Sequence, residues 1–208
     1  MRESNKLQGN GAWHNARTGK LTASRMNQAM AFLKNGKEAE GRKKLKIEIL
    51  AERLTGNIIP KYINEAMQHG TETEPLAKEA FEQATGLLIK DVGFIEHQGI
   101  DNFGASPDGF VSDGSLIEIK CPTTMTHLQY LLNNEVPEEY KAQMCVQSLC
   151  TGKKDIWFCS YDPRLPEKQR LFIIKYQPTQ EELESIEQAA MDFLNEVDEM
   201  FLTLTHGE

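Results

Sequence analysis

The spacing of apolar residues predicts helices in the first part of the chain, because these residues recur every three to four positions. Thr22 is a suitable N-cap for the first helix, which is expected to continue through Leu33. A second helix is expected to end at Gly56. A third follows Pro60 and is expected to break or bend near Gly70.

From Leu87 onward the pattern changes to the alternation typical of β-strands. Segments 87–97, 103–111 and 116–121 are separated by short turns, which predicts three strands in an antiparallel meander. The later elements are predicted in the order helix, helix, strand, strand and closing helix, at 127–132, 138–151, 155–161, 170–176 and from Thr179 onward. No repeat or linker divides the chain, so we expect one domain of α/β content over residues 1–208.

The net charge bears on which partners are expected. The chain has 208 residues and a formal net charge of −8, which argues against broad, non-specific adhesion to nucleic acid. Lysine and arginine are nevertheless concentrated in residues 34–46. This stretch is either a solvated helix face or a surface for the DNA backbone, and the sequence leaves both open.

The lengths of the apolar runs and the spacing of the cysteines argue against a membrane-spanning, a secreted or a zinc-binding protein. No run approaches the ~18 residues needed to cross a bilayer, and the N-terminus lacks the apolar core of a signal peptide. We therefore expect no membrane partner and a cytoplasmic location. The 4 cysteines form no close CxxC pair, which argues against a zinc site. Cys145 and Cys150 lie in an apolar helical pattern and are predicted to be buried free thiols.

Candidate metal chemistry centres on the turn Ser106-Pro107-Asp108-Gly109 and the strand that follows it. Side chains alternate along a strand, so Glu118 and Lys120 are expected to share one face. The turn could bring the aspartate beside them. Two carboxylates suit Mg²⁺, and a lysine next to a metal-bound water can assist its deprotonation. The alternative is an ordinary Asp-Gly turn beside a solvated strand edge.

A possible anion site lies near the N-terminus. Ser24 falls in the first turn of the predicted helix, where free backbone N–H groups and the helix dipole favour an anion. Arg17 could reach the same place and bind a phosphate with two hydrogen bonds. The alternative is an ordinary capped helix with a surface arginine.

Two helices carry further candidates. Glu72 and Glu74 are either dipole complements at a helix start or the source of a third acidic ligand. Tyr140, Gln143 and Gln147 share one face of a helix whose opposite side is apolar. Such a polar face indicates either contact with solvent or contact with a polar site.

Several segments, in consistent order from about residue 13 to about residue 176, resemble the lambda exonuclease-like family of viral recombination nucleases in the PD-(D/E)XK nuclease superfamily. The segments that carry the resemblance are Trp13-His14 with Arg17, Gly19 and Thr22-Ala23-Ser24, Gly70 with Glu74 and Ala77, Ser106-Pro107-Asp108-Gly109, Glu118-Ile119-Lys120-Cys121-Pro122, Ala142-Gln143-Met144-Cys145-Val146-Gln147 and Tyr161-Asp162-Pro163-Arg164. The resemblance implies a PD-(D/E)XK core, in which helices flank a central mixed five-stranded sheet, with N-terminal helices and a long C-terminal helix.

The resemblance also implies a metal centre. Asp108, Glu118 and the backbone carbonyl of Ile119 would bind the first metal ion. Glu74 would bind directly or through water and help to hold a second ion, whereas Glu72 would lie on the surface. The implied metal is Mg²⁺, two ions per site, with Mn²⁺ able to substitute.

Other matched positions imply roles in catalysis and DNA binding. Lys120 would activate the attacking water, and Gln143 would orient Lys120, the water or the scissile phosphate. Tyr140 is a weaker candidate for a DNA contact on the same helix face. Arg17 and Ser24 would bind the 5′-terminal phosphate of a DNA end.

The function implied is that of a 5′-to-3′ exonuclease. It would degrade the 5′-phosphorylated strand of linear double-stranded DNA to mononucleotides and leave a 3′ overhang for a single-strand-annealing protein. Members of the family form a homotrimeric ring, and Met67 is either the wedge that parts the terminal base pairs or a core methionine. The alternatives are a structure-selective or restriction-type endonuclease, a non-catalytic scaffold that binds DNA ends, and a hydrolase of small phosphates.

Overall fold

The structure, a computed structural model, describes residues 11–60 and 65–206, although the side chains of residues 66 and 67 lie outside the described part. Its helices are α1 (Gly11–Arg17), α2 (Met26–Ala29), α3 (Glu40–Thr55), α4 (Glu65–Thr85), α5 (Thr124–Asn133), α6 (Glu138–Thr151) and α7 (Gln180–His206). Its strands are β1 (Leu21–Thr22), β2 (Ile89–Lys90), β3 (Ile95–Glu96), β4 (Phe103–Ala105), β5 (Gly109–Val111), β6 (Leu116–Lys120), β7 (Ile156–Tyr161) and β8 (Leu171–Tyr176). No helix in the described ranges is long and apolar enough to span a membrane.

The main sheet has five strands in the order β2-β5-β6-β7-β8. β6 runs parallel to β7, whereas the other neighbouring strands are antiparallel. The central mixed five-stranded sheet implied by the resemblance is therefore confirmed. β6 carries Glu118 and Lys120 and has a hydrogen-bonded strand on each side, so these two residues lie on a well-supported strand.

A second, three-stranded sheet has the order β1-β4-β3 and changes the picture of the predicted meander. Segments 87–97 and 103–111 are each divided, with one part in the small sheet and the other in the main sheet. The predicted antiparallel pairing is confirmed, but the predicted continuity is wrong. In the second segment the division falls at residues 106–108, where Pro107 has no N–H to donate to a ladder.

Several helix ends follow local signals in the sequence. α6 coincides with the predicted helix, and α3 ends at Gly56 in the left-handed conformation with φ of 69°. α7 begins with a reciprocal cap, in which the N–H of Thr179 donates to Glu182 at 2.7 Å and the N–H of Glu182 donates to Oγ1 of Thr179 at 3.2 Å. α4 is continuous through Gly70, so of the predicted break or bend the break is wrong.

The helix predicted from Thr22 through Leu33 is much shorter than expected. Thr22 precedes a 3₁₀ turn over residues 23–25, which is followed by the short α2. The chain then reverses through a bridge between Phe32 and Glu38, so Leu33 is not helical. The apolar residues of this stretch are spaced as in a helix, but tertiary packing takes the chain in another direction.

Two apolar cores lie on the two faces of the main sheet, and β6 contributes to both. Leu116 belongs to the core shared with α2, α3, α6 and α7, whereas Ile117 and Ile119 belong to the core next to α4. The alternation expected from the sequence is therefore confirmed, and it directs Glu118 and Lys120 towards α6. Cys145 and Cys150 are buried free thiols, as predicted.

The basic stretch at residues 34–46 is partly used inside the fold. Arg42 is only 2% exposed, and it donates to Glu196 from Nη1 at 2.7 Å and from Nη2 at 2.8 Å. It also donates from Nε to the carbonyl of Ala29 at 2.7 Å. Lys46 donates to Glu196 at 2.8 Å. These two cations join α3 to α7, so any contact with a DNA backbone is left to the exposed lysines of the stretch.

Candidate active site

Asp108 is folded back against β6. Its Oδ2 accepts a hydrogen bond from the backbone N–H of Ile119 at 2.7 Å, and its own N–H donates to the carbonyl of Ile117 at 3.1 Å. On the other side of β5, Gly109 permits the close approach of β2, because a Cβ at that position would fall 2.3 Å from a methyl group of Ile89. The Asp-Gly turn thus places the carboxylate beside β6.

Side chains from β6 and α6 surround the carboxylate of Glu118, which is 1% exposed. Oε1 accepts from Nε2 of Gln143 at 2.6 Å and pairs with the ammonium group of Lys120. Oε2 accepts from Nε2 of Gln147. Lys120 also donates to Oε1 of Gln143 at 3.5 Å and lies 4.8 Å from the centre of the Tyr140 ring. A buried carboxylate needs such partners, because burying an unpaired charge is costly.

Gln147 is the member of this group to which sequence reasoning assigned no role. It is fully buried, and it lies one helical turn after Gln143 on the same face of α6. The signal was present in the polar face that these two glutamines share with Tyr140. Its partner on β6 could not be identified from the helix pattern alone.

Burial and like charges alter the protonation of the centre. Burial raises the pKa of Asp108 well above its ordinary value, and the carboxylates of Glu118 and Glu74 raise it further. For Lys120, burial lowers the pKa, but the carboxylates of Glu118 and Asp108 together outweigh this effect and the pKa is raised overall. The carboxylates of Asp108 and Glu118 therefore share Lys120, and an added cation would relieve the repulsion between the carboxylates.

Glu74 lies in the same cleft, on α4. Its Oε1 accepts from Nζ of Lys78 at 3.1 Å, and Lys78 also donates to Asp91 at 2.8 Å. Glu72 is exposed and accepts a hydrogen bond from Gln68 at 2.8 Å. α4 therefore brings Glu74 and not Glu72 to the cleft, as the resemblance implied.

The donor set fits a hard divalent cation. Asp108 and Glu118 are adjacent, partly or fully buried carboxylates, and Mg²⁺ is usually bound by one or two carboxylates together with water. Within residues 11–60 and 65–206, no group of three or more His, Cys, Asp or Glu side chains is arranged to hold a metal ion. The fit to a cation therefore rests on the two carboxylates of Asp108 and Glu118.

A second group of polar residues surrounds Arg17. Its guanidinium donates from Nη1 to Oγ of Ser106 at 3.0 Å and from Nη2 to Oγ of Ser24 at 3.5 Å. The indole N–H of Trp13 also donates to Ser106, at 2.9 Å, and the guanidinium lies 4.2 Å from the centre of the indole ring. Burial and repulsion by Arg25 lower the pKa of Arg17 to about 10, so the side chain remains cationic near neutral pH.

A single cleft of ≈ 590 Å³ contains both groups of side chains. The predicted site residues that line it are Arg17, Ser24, Glu74, Asp108, Glu118, Ile119, Lys120, Tyr140 and Gln143. Ser106 lines it as well and was missed as a site residue, although its position two residues before Asp108 could have indicated it. The side chain of Met67 lies outside the described residues.

A mixed sheet with Asp108 at one strand, Glu118 and Lys120 on the next and a glutamine-bearing helix against them defines a protein with the PD-(D/E)XK nuclease fold. Solved structures agree. The chain is similar to the alkaline exonuclease LHK-Exo from Laribacter hongkongensis, with 38% identity and a TM-score of 0.87 over 95% of this chain and 97% of that chain. LHK-Exo in complex with dAMP gives a TM-score of 0.88 at 38% identity, with 95% and 97% of the two chains covered.

A more distant structure shares the fold alone. A phage-related exonuclease from Haemophilus somnus 129PT is 16% identical, with a TM-score of 0.68 over 92% of this chain and 99% of that chain.

A family model described as the YqaJ-like viral recombinase domain matches residues 12–154. The chain belongs to this family, and the resemblance inferred from the sequence motifs is confirmed. The curated proteins contain no match.

Proposed function

We propose that this protein is a metal-dependent exonuclease that degrades the 5′-phosphorylated strand of linear double-stranded DNA in the 5′-to-3′ direction. The observation that carries the proposal is the single cleft in which the cationic group at Arg17 and the carboxylate–lysine centre at Asp108 and Lys120 lie together. Membership of a viral recombinase family and similarity to an alkaline exonuclease support it.

Recognition of the DNA end is assigned to Arg17 with the hydroxyl groups of Ser24 and Ser106. A guanidinium with two neighbouring hydroxyl donors suits a terminal phosphate, which accepts several hydrogen bonds at once. The stacking of Arg17 on Trp13 fixes the direction of the guanidinium. Anchoring the 5′-phosphate here would present the next phosphodiester to the carboxylate centre and thereby set the polarity of cleavage.

The metal is assigned to the carboxylate end of the cleft. Asp108, Glu118 and the carbonyl of Ile119 would hold one Mg²⁺, and Glu74 would help to hold a second, with Mn²⁺ able to substitute. The ions would supply Lewis-acid stabilisation of charge on the scissile phosphate and an acidified water. Asp108 contributes a carboxylate whose ionised form is disfavoured while no cation is bound, so cation binding and its deprotonation would be linked.

Orientation of the water and stabilisation of charge are assigned to Lys120 and Gln143. Lys120, whose raised pKa keeps it an ammonium group, would donate a hydrogen bond to the attacking water and place positive charge beside the developing charge on the phosphate. Gln143 contacts both Lys120 and Glu118, so it would hold these two side chains in a fixed position relative to each other. Tyr140, whose ring lies next to Lys120, would limit the movement of the ammonium group and could contact DNA.

The expected products are mononucleotides and a 3′ single-stranded overhang for a single-strand-annealing protein. The complex of LHK-Exo with dAMP, a mononucleotide, supports this choice of product. A homotrimeric ring around the DNA completes the proposal on the basis of the family resemblance, with Met67 as either the wedge at the terminal base pairs or a core methionine.

Digestion of linear duplex DNA labelled at either the 5′ or the 3′ end, with and without Mg²⁺, tests the function. The expected result is Mg²⁺-dependent release of the 5′ label as a mononucleotide, with the 3′ label retained in long products. Cleavage of covalently closed circular DNA would show an endonuclease instead. Binding to DNA ends without any cleavage would show a scaffold.

A further inference from the structure

Two glutamines hold the two oxygens of one carboxylate. Gln143 donates from Nε2 to Oε1 of Glu118, and Gln147 donates from Nε2 to Oε2. The glutamines lie on consecutive turns of α6, so one rigid helix supplies both donors. Lys120 shares Oε1 with Gln143, which leaves Gln147 as the side chain that holds the second oxygen.

The environment of Gln147 indicates that its side-chain amide serves as a hydrogen-bond donor to Glu118. The residue is 0% exposed, and no residue in the described part of the chain donates a hydrogen bond to its Oε1. A buried amide oxygen without a donor is unfavourable, so a side chain needed only to fill this space would be apolar. Reversing the amide would not help, because its oxygen would then face Oε2 of Glu118, which is also an acceptor.

We propose that Gln147 is a positioning residue that fixes the carboxylate of Glu118 in the orientation in which it binds the divalent cation. The inference deepens the function proposed above and rests on it. With donors on both oxygens, the carboxylate cannot rotate about its last carbon–carbon bond without breaking a buried hydrogen bond. Contacts of this kind orient metal ligands before the ion arrives and raise its affinity.

Two substitutions separate the donor from its geometry. Gln147→Met keeps the length of the side chain and removes the amide, while Gln147→Asn keeps an amide on a side chain that is one methylene shorter. Both should lose the contact with Glu118. Ser148→Ala is the matched control, because Ser148 is also buried on α6 but donates to the carbonyl of Lys153 at 2.7 Å and does not line the cleft.

The decisive measurement is the affinity for Mg²⁺ and for Ca²⁺, obtained by calorimetric titration of the full chain without DNA. Loss of a contact that orients a metal ligand typically costs ~10–100-fold in metal affinity, and we expect a change of this size for both Gln147 variants. Ser148→Ala should bind both ions as the wild type does. In cleavage assays, the Mg²⁺ concentration that gives half-maximal rate should rise by a similar factor in Gln147→Met, with KM for DNA unchanged.

The outcomes distinguish this inference from the proposed function. Wild-type Mg²⁺ affinity in a folded Gln147→Met or Gln147→Asn protein would overturn the positioning role, even if the wild type digests DNA as expected. A wild-type protein that does not digest DNA would overturn the exonuclease, while weaker Mg²⁺ binding by the variants would still support the positioning role. Thermal unfolding without metal identifies a variant that does not fold, in which case the other variant decides.

Discussion

Arg17 donates a hydrogen bond from Nη1 to Oγ of Ser106 at 3.0 Å. Ser106 lies only two residues before Asp108, so one short segment carries a contact of Arg17 and a carboxylate of the proposed metal site. The distance between these two groups is therefore fixed by the local backbone and by the two sheets that the segment joins. In an exonuclease this distance would determine which phosphodiester is cut once the end is bound.

Replacing Arg17 should reduce cleavage selectively at phosphorylated ends. Charged hydrogen bonds contribute ~1.5–3 kcal/mol, so Arg17→Gln should lower kcat/KM on 5′-phosphorylated duplex by about 10- to 100-fold and change it much less on 5′-hydroxyl duplex. The measurement is the ratio of kcat/KM on the two substrates. Lys20→Gln is the control, because Lys20 pairs with Glu96 and does not line the cleft. Equal losses on both substrates would show that Arg17 does not bind the terminal phosphate.

Removing the ammonium group of Lys120 should stop the chemistry and spare binding. General acid–base groups typically contribute ~10²–10⁴-fold, so we expect a loss of at least this size in kcat for Lys120→Ala. DNA-end binding in Ca²⁺, measured by fluorescence anisotropy, should be largely retained. Lys175→Ala removes an exposed lysine that pairs with Asp113 outside the cleft and should cleave normally. Unchanged turnover in Lys120→Ala would remove this residue from the mechanism.

Gly104 is expected to tolerate no side chain. A Cβ there would lie 2.3 Å from the ring of Phe94 and 2.7 Å from the backbone oxygen of Ile95, and the backbone atom cannot move aside easily. Overpacking of this kind typically costs ~1–3 kcal/mol, so Gly104→Ala should lower the free energy of unfolding by about that amount. Denaturant titration measures it. Gly99→Ala is the control, since its nearest contact would be 3.8 Å away; an equal loss there would contradict this explanation.

The helices α6 and α7 could be predicted closely because their signals are local. A capping pair opens α7, and a glycine in the left-handed conformation follows α6. The strands around the turn could not be bounded in the same way. Residues 103–111 are predicted as one strand segment, but Phe103–Ala105 and Gly109–Val111 pair with different partners in different sheets. Only the tertiary contacts decide where one strand ends and the next begins.

In the candidate site, too, local patterns predict some residues and long-range contacts place the others. Asp108, Glu118 and Lys120 could be brought together in advance because a turn and the alternation along one strand are local properties. The contacts of Gln147 and Ser106 span 29 residues to Glu118 and 89 residues to Arg17, respectively, so no local pattern reports them. Both residues occur within the motifs that carried the family resemblance, which identified the segments without giving every side chain a role.

The ion pairs between α3 and α7 should make stability depend on pH below the range where carboxylates normally titrate. Hydrogen bonds from Arg42 lower the pKa of Glu196 from an ordinary value of 4.5 to about 2, with a further contribution from Lys46. The fold therefore favours the ionised carboxylate. This contribution to stability is fully present above about pH 4.5 and is lost as the pH falls through about 2.

Glu196→Gln should accordingly be less stable than the wild type at pH 7, and the difference in free energy of unfolding should shrink as the pH falls from about 4.5 to 2. Urea titrations at several pH values give this difference directly. Glu184→Gln is the matched control on the same helix, because Glu184 is exposed and accepts a hydrogen bond from Gln180 at 2.8 Å, within α7. If the two variants showed the same pH dependence, the link between α3 and α7 would not be the cause.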